Sequence, residues 1–155
     1  MATGNDVYLG NPNLKKAGTE IQFTKEQVDE IIKCKNDPLY FALNYIKIIS
    51  LDEGLVPFNM YDFQKEILTD FHNNRFNIAK LPRQTGKSTT VVAYLLYYII
   101  FNDNVNVGIL ANKASTAREL LGRLQLAYEN LPKWMQHGVL VWNKGNVELE
   151  NGSKI

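Results

Sequence analysis

The sequence predicts an α/β protein, a parallel sheet flanked by helices and preceded by a helical segment. Three observations lead there. Apolar residues recur at helical spacing between about 25 and 73. From residue 76 on, short apolar runs alternate with helical ones in the order strand, loop, helix, strand, loop, helix, the alternation of a parallel sheet. A Gly-Lys-Ser sequence, Gly86 to Ser88, sits at the first strand-to-helix junction.

Composition agrees with a folded domain. The 155 residues are 45% hydrophobic and 21% charged, which excludes bulk disorder. Seventeen Lys and Arg against sixteen Asp and Glu give +1, so a histone-like mass of positive charge is excluded while a local basic patch is not. The single cysteine, Cys34, cannot form a disulfide within the chain and fits a reducing interior. The most apolar run, Val91 to Phe101, is shorter than the ~20 residues a bilayer needs and carries three tyrosines. The first residues lack the basic-then-apolar pattern of a signal peptide, and a soluble cytosolic protein is expected.

Residues 1–22, rich in Gly, Asn and Lys without a period, read as a flexible arm, disordered or draped on the surface. Thr24 and Gln27 have capping-box spacing and open a helix over about 25–36, with Val28, Ile31 and Ile32 on one face. Asp37-Pro38 starts a second helix, with Leu39, Leu43, Ile46 and Ile49 as its apolar stripe. Gly54 to Pro57 breaks the chain. Asn59 then caps a helix over about 60–73, with Phe63, Ile67, Leu68 and Phe71 inward. Residues 23–75 thus form an N-terminal helical part.

Phe76 to Leu81 reads as a short buried strand, Pro82 to Gly86 as a loop, and Lys87 onward as a helix apolar nearly all round, hence buried between layers. Val105 to Ala111 is the second strand. Thr116 and Glu119 are a second capping box, opening a helix that ends near Asn130. Val139–Trp142 and Val147–Glu150 are strand-like around the turn 143–146, and Asn151-Gly152 is a hairpin turn followed by three residues. That ending reads as a fragment of something longer, with a short natural final strand as the alternative. Residues 76–155 would then be a truncated core.

Leu81-Pro-Arg-Gln-Thr-Gly-Lys-Ser88 matches the end of the phosphate-binding loop G-x-x-x-x-G-K-[ST], with Leu81 in place of the first glycine. The tripeptide alone is a weak sign, and its strand-to-helix position is what raises it. Amides at the loop and helix start carry the positive end of the helix dipole. Gly86 permits close approach of phosphate, Lys87 places charge on the β and γ phosphates, and Ser88 offers its hydroxyl to Mg²⁺. Gln84 and Thr85 complete the loop, and Thr89 adds a phosphate contact. The alternative is a solvated lysine after a tight turn. Arg83 is the candidate to stabilise transition-state charge, against a surface or DNA-facing role. Upstream, the Gln64 amide matches an adenine edge, and Phe63 can pack on the ring or belong to its helix's apolar stripe. Phe63-Gln64 resembles the Q motif of helicase-like ATPases.

Several segments in order resemble the large terminase subunit of contractile-tailed bacteriophages: Asp37-Pro-Leu-Tyr-Phe41, Asn44-Tyr-Ile-Lys-Ile48, Gly54-Leu-Val-Pro-Phe58, Tyr61-Asp-Phe-Gln64, the loop Arg83 to Ser88, Gly108 to Lys113, Trp142-Asn-Lys-Gly145 and Glu148 to Gly152. The resemblance spans about residues 24–155 and includes the missing first glycine. It implies a partial P-loop NTPase of RecA/ASCE-like fold, binding ATP and Mg²⁺ to drive double-stranded DNA into a procapsid. It also implies partners, namely the portal protein, the small terminase subunit and further copies in a motor ring, with no membrane, in the cytoplasm of an infected bacterium. By the match Gln64 would read adenine, Lys87 and Ser88 would hold phosphate and Mg²⁺, and Arg83 would be the finger. The family's Asp-Glu pair after an apolar strand is absent, as is its nuclease carboxylate cluster, so this chain alone is expected to hydrolyse ATP negligibly and to cut no DNA.

Two other readings share these residues. A superfamily 2 helicase or restriction-motor fragment would carry the same glutamine and loop. An assembly module would use the helical part, 24–73, to dock a portal or small-subunit partner. Lys113, Arg118, Arg123 and Lys144 are candidate DNA contacts or a solvated face.

Overall fold

The computed structural model describes residues 6–50 and 52–155. The N-terminal stretch, read as an arm disordered or draped on the surface, holds a strand pair between Val7 and Lys15, and residues 1–5 lie outside the described part. β1 (Val7–Tyr8) and β2 (Asn11–Lys15) form an antiparallel hairpin. Leu14 is 1% exposed, Tyr8 packs against the same core, and these side chains dock the hairpin. Gln136 fastens it: its Oε1 accepts from Lys15 N–H, and its Nε2 lies 3.1 Å from Asn13 O. The chain then crosses Gly138 so closely that a Cβ there would lie 2.9 Å from the Ala17 amide, and only glycine admits that crossing.

α1 (Lys25–Asn36) starts at the predicted capping box, with both reciprocal bonds between Thr24 and Gln27 formed. Val28 and Ile32 are exposed; the side chain α1 buries is Cys34, whose thiol is pushed up to about 12 chiefly by that burial. α2 (Pro38–Tyr45) is capped by Asp37, whose Oδ1 accepts from the amides of Leu39 and Tyr40 at 2.9 Å. It ends sooner than its expected stripe, and it buries Phe41 and Ala42 while Leu43 is exposed. The β-branched residues beyond it form β3 (Lys47–Ser50), paired antiparallel with β4 (Gly54–Pro57), Ile49 opposite Leu55. α3 spans Asp62–Asn73 with Tyr61, not Asn59, at its N-cap.

α4 (Lys87–Phe101) is the central helix. It buries Thr90, Val92, Ala93, Leu96, Tyr97, Ile99 and Ile100, and packs on α2, α3 and α5 (Ala114–Glu129), as its all-round apolarity predicts. α5 begins two residues before Thr116 with Lys113 at its N-cap. The expected capping box therefore does not form, and Glu119 instead pairs with Arg123 one turn on. A 3₁₀ turn (Lys133–Met135) leads into β5 (Val139–Trp142) and β6 (Val147–Leu149), an antiparallel hairpin.

The expected parallel sheet does not form among the described residues, whose strands make three antiparallel pairs. Residues 76–81 are not a buried strand. Among the described residues no strand pairs with them, Phe76 is 84% exposed, and Ile78 is fully exposed. A strand is held by a neighbour's backbone, and apolar content alone does not supply one. Residues 105–111 likewise are not a strand along their length. Only Asn106 bridges, in parallel, to Lys154, with Lys154 N–H donating to Val105 O and Val107 N–H to Lys154 O. Ser153 to Ile155 pair antiparallel with β6 on their other side, after the predicted turn at Gly152 (φ +80°). The class is α/β, and one apolar core joins side chains of α1–α5 with Leu14, Val139, Val147 and Leu149. Among the described residues no helix is long and apolar enough to cross a membrane.

Candidate functional site

The site is the loop that feeds α4. Gln84 and Gly86 both have left-handed φ, +64° and +74°, and Gly86 is the residue immediately before the helix. The loop closes on the Pro82 carbonyl, which accepts from Thr85 Oγ1 at 3.1 Å and from Lys87 Nζ at 3.5 Å. Beneath it, buried Thr90 donates to the Gly86 carbonyl from its amide (3.1 Å) and its hydroxyl (3.3 Å). The amides of Lys87, Ser88 and Thr89 open the helix and have no carbonyl one turn earlier within it. They carry the positive dipole end of a fifteen-residue helix, with the exposed Lys87 ammonium beside them. Such an arrangement attracts an anion.

Gln64 is joined to this loop. Its side chain is buried, with the whole residue 3% exposed, and both ends of the amide are engaged. Oε1 accepts from Tyr61 N–H at 2.9 Å, and Nε2 donates to Thr85 O at 3.1 Å. A Cβ on residue 86 would fall inside contact distance of Gln64 Nε2, so glycine is required there by space as well as by φ. Phe63, half-buried, stacks on the exposed Tyr61 ring (5.9 Å between centroids, 9° between planes).

The remaining candidates divide. Arg83 is exposed, and no hydrogen bond or ion pair engages its guanidinium among the described residues. Ser88 is half-buried at the second position of α4, a hard oxygen donor of the kind Mg²⁺ takes. Thr89 lines an apolar cleft of about 440 Å³ with Ile46, Ile48, Val92 and Leu126. Of the basic residues, Arg118 and Lys144 come together on a small recess beside Ile109 and Ile155. Lys113 is exposed at the start of α5, and Arg123 is spent on Glu119 at 2.6 Å.

Two contributors escape a sequence reading: Thr90, which ties the loop to its helix, and Gln64 in its bracing position. The signal for the second exists, since Tyr61 and Gln64 have the N-cap-to-third-residue spacing at which a glutamine reaches back to a cap amide. No protein-family model matches the chain.

Proposed function

We propose that this chain is the nucleotide-binding part of an ATP-driven motor of the terminase large-subunit type, which uses ATP and Mg²⁺ to move double-stranded DNA into a procapsid. The observation that carries this reading is the loop 82–88: a left-handed glycine at the start of a long, largely buried helix, first-turn amides with no carbonyl one turn earlier within that helix, and an exposed Lys87. In this reading the amides of residues 86–89 and Lys87 hold the phosphates, Ser88 supplies a protein oxygen to Mg²⁺, and Arg83 faces the terminal phosphate. Bound Mg²⁺ would neutralise charge on the phosphate oxygens. A partial P-loop core, a portal, a small subunit, sister copies in a ring and the cytoplasm of an infected bacterium belong to the same proposal, supported by the ordered segments that resemble that family. The pairing of Arg118 with Lys144 is where DNA phosphates would meet the chain.

Calorimetric titration with Mg·ATP tests the loop. Lys87→Ala is expected to weaken binding at least tenfold, and indistinguishable titrations of the two proteins would refute the assignment. Turnover in a coupled assay is expected to be negligible, because no Asp-Glu pair follows the loop to hold Mg²⁺ and orient water.

A further inference from the structure

We propose that residues 76–81 are a docking edge for an extended segment of a partner polypeptide, apolar at alternate positions and carrying carboxylates at its ends, a role separate from nucleotide binding. Every residue from His72 to Lys80 is exposed, and Phe76 and Ile78 stand almost wholly in solvent although both are large and apolar. Among the described residues no backbone N–H or C=O of residues 76–81 has a hydrogen-bond partner, and no helix, strand or turn forms from Asn77 to Pro82. The stretch is also strongly basic. Arg75, Lys80, Arg83 and Lys87 fall close together, and the sequence has no Asp or Glu between Asp70 and Asp103. No carboxylate pairs with any of the four among the described residues, and the Arg75 guanidinium lies over the adjacent Phe76 ring, 5.2 Å from its centroid.

These observations select the occupant. An added strand supplies an acceptor for each inward N–H and a donor for each inward C=O, which is how extended peptides join an open edge. In a strand Phe76, Ile78 and Lys80 share one face. A partner therefore needs apolar side chains at alternate positions to cover the first two, and a carboxylate beyond them for Lys80. A second copy of the chain fits poorly, because pairing 76–81 with itself in either direction sets Arg and Lys beside Arg and Lys, and like charges across a strand pair are destabilising. A polynucleotide would meet the cations, but it would leave Ile78 uncovered and bring phosphates to the open carbonyls.

The test uses the whole chain and three synthetic peptides with a core of alternating Val and Ile: one ended by Asp pairs, one ended by Lys pairs, and one ended by Asp pairs with a central Pro. Binding is read by fluorescence anisotropy and by amide hydrogen exchange. The first peptide is expected to bind and to slow exchange at alternate amides of residues 76–81, the signature of a strand pair. The Lys-ended and Pro-bearing peptides are expected to bind at least about tenfold more weakly. Ile78→Ser should weaken the first peptide about tenfold and, because Ile78 is exposed, leave the urea midpoint unchanged. If that variant does not fold, the three peptides on the wild-type chain decide alone. No protection in 76–81, equal binding of the three peptides, or wild-type affinity in a folded Ile78→Ser would overturn the proposal. Protection that rises with protein concentration in the absence of peptide would also overturn it, by making a second copy the occupant. So would protection by oligothymidylate where the Asp-ended peptide gives none.

Discussion

Gly86→Ala tests the loop's geometry directly. Two costs follow from the structure. The residue sits at φ +74°, where an L side chain costs roughly 1–2 kcal/mol. The new methyl also falls on Gln64 Nε2, and that side chain cannot simply swing aside, because it is buried and bonded at both ends. Displacing it sacrifices the bond to Thr85 O and loosens the one to Tyr61 N–H, each about 0.5–1.5 kcal/mol net. The expected destabilisation is therefore about 2–4 kcal/mol. Lys87→Ala next door, an exposed side chain with one long bond to Pro82 O, should stay within about 0.5 kcal/mol of wild type. Urea denaturation followed by the fluorescence of Trp134 and Trp142 reads both. A double-mutant cycle isolates the clash: in a Gln64→Ala background the Gly86→Ala cost should fall to the backbone part, about 1–2 kcal/mol. A Gly86→Ala midpoint equal to wild type, or the same cost in both backgrounds, would refute the reasoning.

Further outcomes are expected away from the loop. Gln136→Leu leaves the carbonyls of Tyr128 and Leu131 without their side-chain donor and takes the anchor from Lys15 N–H. It should cost about 2–4 kcal/mol and expose the segment after β2 to limited proteolysis, and an unchanged cleavage pattern would count against the docked hairpin. Glu30 accepts from the hydroxyls of Tyr40 and Tyr45, both at 2.8 Å, and these bonds hold its carboxyl below the usual range. Because the folded value lies below the unfolded one, that contribution is complete above the unfolded pKa of roughly 4.3 and is lost as pH falls through the folded value. Urea midpoints between pH 7 and pH 3 should therefore fall more steeply for wild type than for Glu30→Gln, and parallel profiles would contradict the assignment.

What the sequence reveals depends on how local each determinant is. Helix starts governed by a side chain three residues away are legible: Thr24 with Gln27 and Asp37 with Leu39 and Tyr40 form as expected, as do α4 and the turn at Gly152. Thr116 with Glu119 has the same pattern and does not cap, because α5 begins earlier and Arg123 captures the glutamate. The failures are of long range. Phe76–Leu81 has strand composition but no paired neighbour, and whether a neighbour exists is not written in those six residues. The hairpin is fastened through the backbone of Asn13 and Lys15 to Gln136, more than a hundred positions away. The loop itself is read from its Gly-Lys-Ser and its place before an apolar helix. The inward turn of the Gln64 amide is not legible, because it depends on Thr85 O lying within reach in three dimensions.

The far end of α4 is anchored as firmly as its beginning. Asn151 donates from Nδ2 to the Ile99 and Asn102 carbonyls, Ser153 Oγ donates to Asn102 O, and Asn104 N–H returns to Asn151 O. A helix of fifteen residues is a rod of roughly 22 Å. Its two ends thus adjoin the loop 82–86 and the turn between β6 and the final residues. A rod clamped at both tips cannot tilt at one without loading the other. Any reorientation of Lys87 and Ser88 that moves the axis of α4 must either bend it or carry strain to the bonds around Asn151.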